Sequence, residues 1–168
     1  DYSKVHYNST IAGISSDDST VVVLNIEGAG TNDKKILFAY IYKISNNTLV
    51  DSVEVDSDTG FNKIVSCDAD FDYKSKELLV GFHINYYWPG SFDHRYPTDG
   101  YLYRINLSEN NKKERIIDMG VLSFKTNESQ ILILGNKSET LVRSQGSTHS
   151  MINDFVILYD KNLKKYDT

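Results

Sequence analysis

Short runs rich in Val, Ile, Leu, Tyr and Phe, parted by clusters of Asn, Asp, Ser and Lys, recur from one end of this chain to the other. Almost nowhere do the apolar residues fall at helical spacing, so the pattern predicts an all-β chain. Laid beneath one another, the runs repeat with a period of about 50–60 residues, the range in which propeller blades are sought. The copies cover about residues 10–55, 63–119 and 121–168, and each reads as a four-stranded antiparallel unit. The first has strands at 10–15, 20–27, 35–45 and 49–55, and the second at 63–72, 77–86, 101–108 and 115–119. The third offers strands at 121–126, 130–134 and 154–160, a polar loop over 135–153, and a missing or stunted fourth strand at 164–168. With 10 glycines and only 2 prolines, the sequence marks no flexible junction, and residues 1–168 are read as one structural unit.

Residues 99–119, DGYLYRINLSENNKKERIIDM, and residues 35–55, KILFAYIYKISNNTLVDSVEV, resemble the third and fourth strands of YVTN-like and quinoprotein-like β-propeller blades. The resemblance is to blade grammar and to no one family, because the chain has no Trp-Asp dipeptide and no paired glycines of the kelch type. It implies that the three units form part of a β-propeller. The alternative that the same alternation allows is a two-sheet β-sandwich. Propellers close with about four to eight blades, so three blades leave faces and an edge for something else to cover. A second copy of the chain, a longer chain, or exchange of the N-terminal segment between neighbours would each supply the cover.

Charge and composition narrow the partners. A net charge of −5 argues against a phosphate-binding surface, so nucleic acid is not an expected partner. No apolar run approaches the roughly 18–20 residues that cross a bilayer as a helix, and no membrane span is expected. The chain opens on Asp1, which fits either a removed signal peptide or excision from a longer protein. Five N-x-Ser/Thr triplets, headed by Asn8, Asn46, Asn106, Asn127 and Asn136, are expected glycosylation sites, which predicts an extracellular or cell-surface location. Cys67 is the single cysteine and cannot form an internal disulfide. It alternates with Ser66 and Asp68 and is expected in the core with Ala69 and Phe71.

The segment most suited to binding is the loop holding Tyr86, Tyr87, Trp88, Phe92, Asp93, His94, Arg95 and Tyr96, with the only tryptophan and both prolines of the chain nearby. Aromatic rings beside groups that fix orientation are the materials of a protein- or glycan-binding surface. Asp56, Asp58 and Asn62 surround Gly60 in a stretch able to curl about Ca²⁺, while the rival reading is an acidic turn bonding to its own backbone. No other cofactor is expected. His6, His83, His94 and His149 are scattered without a zinc-ligand spacing, and no nucleophile elbow or dinucleotide loop is present.

These features predict a non-enzymatic recognition or assembly module whose rim loops form the contact surface, with other protein subunits or glycans as partners and a homo-oligomer or polymer as the product. One alternative is a structural subunit of a surface filament joined by N-terminal strand exchange. Another is a fragment of a propeller glycoside hydrolase, for which Asp70 and Asp93 are the candidate carboxylates.

Overall fold

The computed structural model describes residues 10–15, 18–28, 35–58, 64–85, 98–142 and 148–161. Its strands form three antiparallel sheets, and the described residues contain no α-helix. The first sheet pairs β1 (Thr10–Ile14), β2 (Thr20–Glu27), β3 (Lys35–Lys43) and β4 (Thr48–Asp58) in chain order. The second pairs β5 (Ile64–Asp72), β6 (Glu77–Asn85), β7 (Thr98–Asn106) and β8 (Lys112–Ile117) in the same way. The third has the order β11-β10-β9, from β9 (Gly120–Thr126), β10 (Gln130–Val142) and β11 (Thr148–Asp160). Hydrogen bonding among the described residues thus makes three sheets, where the sandwich alternative has two.

Local chemistry explains the elements. On β3, Lys35, Leu37, Ala39 and Ile41 are buried while Ile36, Phe38, Tyr40 and Tyr42 between them are half-buried, the period-two alternation of a strand between two environments. Asn47 closes the β3–β4 turn at φ 53°, and Asn110 and Asn111 follow β7 at φ 56° and 57°. Asparagine tolerates this left-handed region because its short amide bonds locally to the backbone.

The third sheet departs from expectation twice. It has three strands among the described residues, and the expected fourth, at 164–168, lies outside them. The expected polar loop over 135–153 is largely strand, since β10 and β11 pair without a break from Gln130↔Asp160 to Val142↔Thr148. Backbone groups make such a ladder, and polar side chains do not interrupt it. Strand β9 pairs with β10 only from Thr126↔Ile131 to Gly120↔Asn136. Beyond Asn136 the hairpin therefore continues, among the described residues, as a two-stranded ribbon.

The chain divides into two compact units, and the second sheet contributes to both. The first unit takes residues 1–62, 69–80 and 103–116. Its core holds Val22, Leu24, Leu37, Ile41, Val55, Phe71, Leu78 and Ile105, all buried. Strand β1 lies so close to β5 that a Cβ on Gly13 would run into the Ala69 carbonyl oxygen, so only glycine fits there. The second unit takes residues 63–68, 81–102 and 117–168. Phe82, Ile84, Leu102, Val121, Phe124, Ile131 and Ile133 are buried in it, and Tyr101 meets Phe82 edge-on at 5.7 Å. Asp68 secures β9, its Oδ2 accepting from Ser123 Oγ and from the Phe124 N–H, both at 3.0 Å.

Candidate functional site

The expected contact residues Tyr86, Tyr87, Trp88, Phe92, Asp93, His94, Arg95 and Tyr96 lie outside the described residues, between the end of β6 at Asn85 and the start of β7 at Thr98. Asp93, one of the two candidate carboxylates of the hydrolase alternative, goes with them. What the structure describes instead is a set of sheet surfaces and their polar anchors.

Among the described residues, a cluster of exposed apolar side chains lies on the β10–β11 hairpin. Leu132 stands opposite Leu158 and Leu134 opposite Val156. These four side chains share one face of the sheet at 47%, 47%, 44% and 72% exposure, respectively. The alternate residues Ile131, Ile133 and Tyr159 are buried on the other face, so this hairpin is apolar on both sides. Completing the burial of four half-exposed aliphatic side chains is worth roughly 1 kcal/mol each, enough to drive association if a partner fits. The charged residues next to the patch are Lys125, opposite Leu132 on β9, and Asp154 and Asp160 on β11. Strand β11 is the last strand of the sheet order, and its outer edge has no paired strand among the described residues. The sequence carried a signal for this surface in the unbroken apolar runs Ile131–Leu134 and Phe155–Leu158. Continuous apolar runs mark strands covered on both faces, whereas alternation marks one face in water.

The first sheet also has a second apolar face. Registered pairs place Ile14, Val21, Tyr42 and Leu49 in one row across it, and Val23, Tyr40 and Ser52 in the next. Ile14 and Leu49, at the ends of the first row, are exposed. Phe38 and Tyr40 stand together with ring centroids 6.0 Å apart. Tyr40 donates its hydroxyl to Glu27 Oε1 at 2.6 Å, and Asn25 Nδ2 donates to the same oxygen at 3.3 Å. Burial, and then the bond to Glu27, push the Tyr40 phenol up to about 12, so it remains a donor throughout the physiological range.

Of the three residues considered for Ca²⁺, Asp56 is engaged otherwise. Its Oδ2 accepts from the Tyr103 hydroxyl and its Oδ1 from the Ser57 N–H at 2.7 Å. The Asp58 side chain and Asn62 lie outside the described residues. Among the described residues no group of three His, Cys, Asp or Glu side chains stands together as metal ligands.

One buried polar pair lies where β6, β9 and β10 approach. His83 is 6% exposed and Asn136 8%. Both imidazole nitrogens and Asn136 Oδ1 have no hydrogen-bond partner among the described residues. A Cβ on Gly120 would stand 2.6 Å from Asn136 Oδ1 and 2.7 Å from His83 Cδ2, which explains the glycine at 120. Cys67 is half-buried and not in the core as expected, and its thiol is pushed up to about 11 by burial and then by the charge of Asp68. It is a poor nucleophile.

The sequons separate by environment. Asn46 and Asn127 are exposed and Asn106 half-buried, each at a hairpin turn, whereas Asn136 is buried within the central strand of its sheet. Asn8 lies outside the described residues.

No protein-family model, no curated protein and no solved structure matches the chain.

Proposed function

We propose that this chain is a non-enzymatic assembly module of the extracellular space or cell surface, built of propeller-type blades and joined to further copies of itself through its open sheet surfaces. The observation that carries this reading is the exposed cluster of Leu132, Leu134, Val156 and Leu158 beside the edge of β11. An aliphatic face next to an edge strand, one with no outer neighbour strand among the described residues, supplies apolar area for sheet-to-sheet association. The second apolar face, on the first sheet, gives a copy of the chain another surface to cover. The loop at 86–97 and its aromatic residues remain, under this reading, a contact surface for a protein or glycan partner.

A filament joined by strand exchange is the second reading. The first two sheets each have a fourth strand beside their third, while β11 has none among the described residues, and residues 2–9 of a neighbour would fill that place. Native mass spectrometry across a concentration series tests both. A closed dimer supports face-to-face pairing, and a ladder of larger species supports exchange. Val156→Lys together with Leu134→Lys is expected to return the chain to monomer while leaving its circular dichroism unchanged. A wild-type chain that stays monomeric at about 100 µM, well above the dissociation constant of a typical stable interface, would remove self-assembly from the proposal.

A further inference from the structure

We infer that Asn46, Asn106 and Asn127 carry N-linked glycans and that these lie, in every sheet, at the end away from the connection between its second and third strands. The inference rests on the proposed extracellular location and adds to it a polarity of the surface.

The three sites share one local geometry. Asn46 Oδ1 accepts from the Thr48 N–H at 3.4 Å and from Thr48 Oγ1 at 2.7 Å. Asn106 Oδ1 accepts from the Ser108 N–H at 3.0 Å and from Ser108 Oγ at 2.7 Å. Asn127 Oδ1 accepts from the Ser129 N–H at 2.9 Å, from Ser129 Oγ at 3.5 Å and from the Gln130 N–H at 2.7 Å. In each triplet the hydroxyl residue that defines the sequon is folded back on the asparagine carbonyl, and Nδ2 makes no hydrogen bond among the described residues. Thr48, Ser108 and Ser129 are all exposed. Asn136 is the counter-example, because it is buried and paired on both sides, to Gly120 and to Asp154.

Backbone bonds fix the end of each sheet to which these turns belong. In the first sheet the Ile44 N–H donates to Ser19 O, so the β3–β4 turn with Asn46 adjoins the β1–β2 turn. In the second the Leu107 N–H donates to Lys76 O, so the turn after Asn106 adjoins the β5–β6 turn. In the third the Lys161 N–H donates to Ser129 O, so the β9–β10 turn adjoins the end of β11. The connections at 29–34, 86–97 and 143–147 leave from the other ends of the same strands. Glycans at the three turns would thus cover one end of each sheet.

The transfer itself joins Asn Nδ2 to the anomeric carbon of a glycan activated as a diphosphate. The carbon–oxygen bond to the diphosphate breaks, the diphosphate leaves with the bonding pair, and one amide proton passes to solvent.

Secretion of the full chain from a glycosylating eukaryotic host, followed by glycopeptide mass mapping of the folded fraction, is the direct test. We expect glycan on Asn46, Asn106 and Asn127 and none on Asn136. Thr48→Ala, Ser108→Ala and Ser129→Ala should each remove one glycan, and Ser138→Ala should remove none. A second measurement treats the folded, unglycosylated chain with a soluble N-glycosyltransferase and a nucleotide hexose, where the same three sites should gain one hexose each. Glycan on Asn136 in folded material, or an unmodified Asn46, Asn106 or Asn127 in both experiments, would overturn the inference. The native mass of the same sample after enzymatic deglycosylation reports assembly separately, so a monomer there counts against self-assembly alone.

Discussion

Tyr103 donates its hydroxyl to Asp56 Oδ2 across 47 residues of sequence, tying β7 to β4. Arg115 Nη2 donates to the same phenolic oxygen at 3.3 Å, and Tyr103 is almost wholly buried. A hydrogen bond to a carboxylate is worth about 1.5–3 kcal/mol. Tyr103→Phe is therefore expected to lower stability by about that amount in a urea titration, with the m-value unchanged. An unchanged midpoint would show that Asp56 finds an equal partner in water.

The two bonded phenols set an alkaline limit. Tyr40 and Tyr103 are both pushed from an ordinary 10.0 up to about 12, chiefly by burial and then by their hydrogen bonds to Glu27 and Asp56. The unfolded chain releases these protons more readily, so their contribution is fully present below pH 10 and is lost as the pH rises toward 12. Thermal midpoints should fall over that window, and less so in Tyr40→Phe/Tyr103→Phe than in the wild type.

His83 sets the acid side. Burial lowers its imidazole below the ordinary 6.5, so the folded chain holds it neutral while the unfolded chain takes up a proton. Stability is full above pH 6.5 and declines as the pH falls below it, with a slope of at most about 1.4 kcal/mol per pH unit from this one group. In His83→Leu that slope should flatten, and the stability at pH 7 should hold, because two unpartnered nitrogens are removed. A steep acid slope retained in the variant would assign the effect to carboxylates.

Two glycines differ in what surrounds them. The atom facing Gly13 belongs to the backbone, whereas those facing Gly120 belong to the side chains of Asn136 and His83, which can shift. Gly13→Ala is expected to cost about 3 kcal/mol or to abolish folding, and Gly120→Ala about 1–2 kcal/mol. The reverse order in denaturant midpoints would contradict the close approach of β1 to β5.

Cys67, with a thiol at about 11, should react with a disulfide reagent at pH 8 roughly 100-fold more slowly in the native chain than in urea. Equal rates would mean that Cys67 is open to solvent.

Much of this architecture was legible in the sequence. The β-branched and aromatic runs located the strands, and the Asn-Asn pairs marked the turns after β3 and β7, where left-handed backbone is required. Four things escaped. The hairpin beyond Asn136 has no apolar alternation, because its ladder is a backbone property. Asn136 matches the sequon rule as a triplet, but the rule is blind to its position in a central strand. The tie between Asp56 and Tyr103 depends on a partner three strands further along the chain, which no local pattern announces. The outward pairing of Leu132 with Leu158 follows from register, which alternation alone does not supply.

The thirteen-residue hairpin strands outrun their neighbour β9, and that difference in length divides one sheet into parts of unequal durability. Residues 131–136 of β10 have a neighbour strand on each side, while 137–142 and 148–153 share, among the described residues, a ribbon too narrow to be stable alone. Hydrogen exchange should accordingly reach the ribbon first, through local opening that leaves the rest of the sheet closed. A partner that lengthens β9 or adds a strand to β11 would slow that exchange, making the ribbon's amides a built-in reporter of assembly.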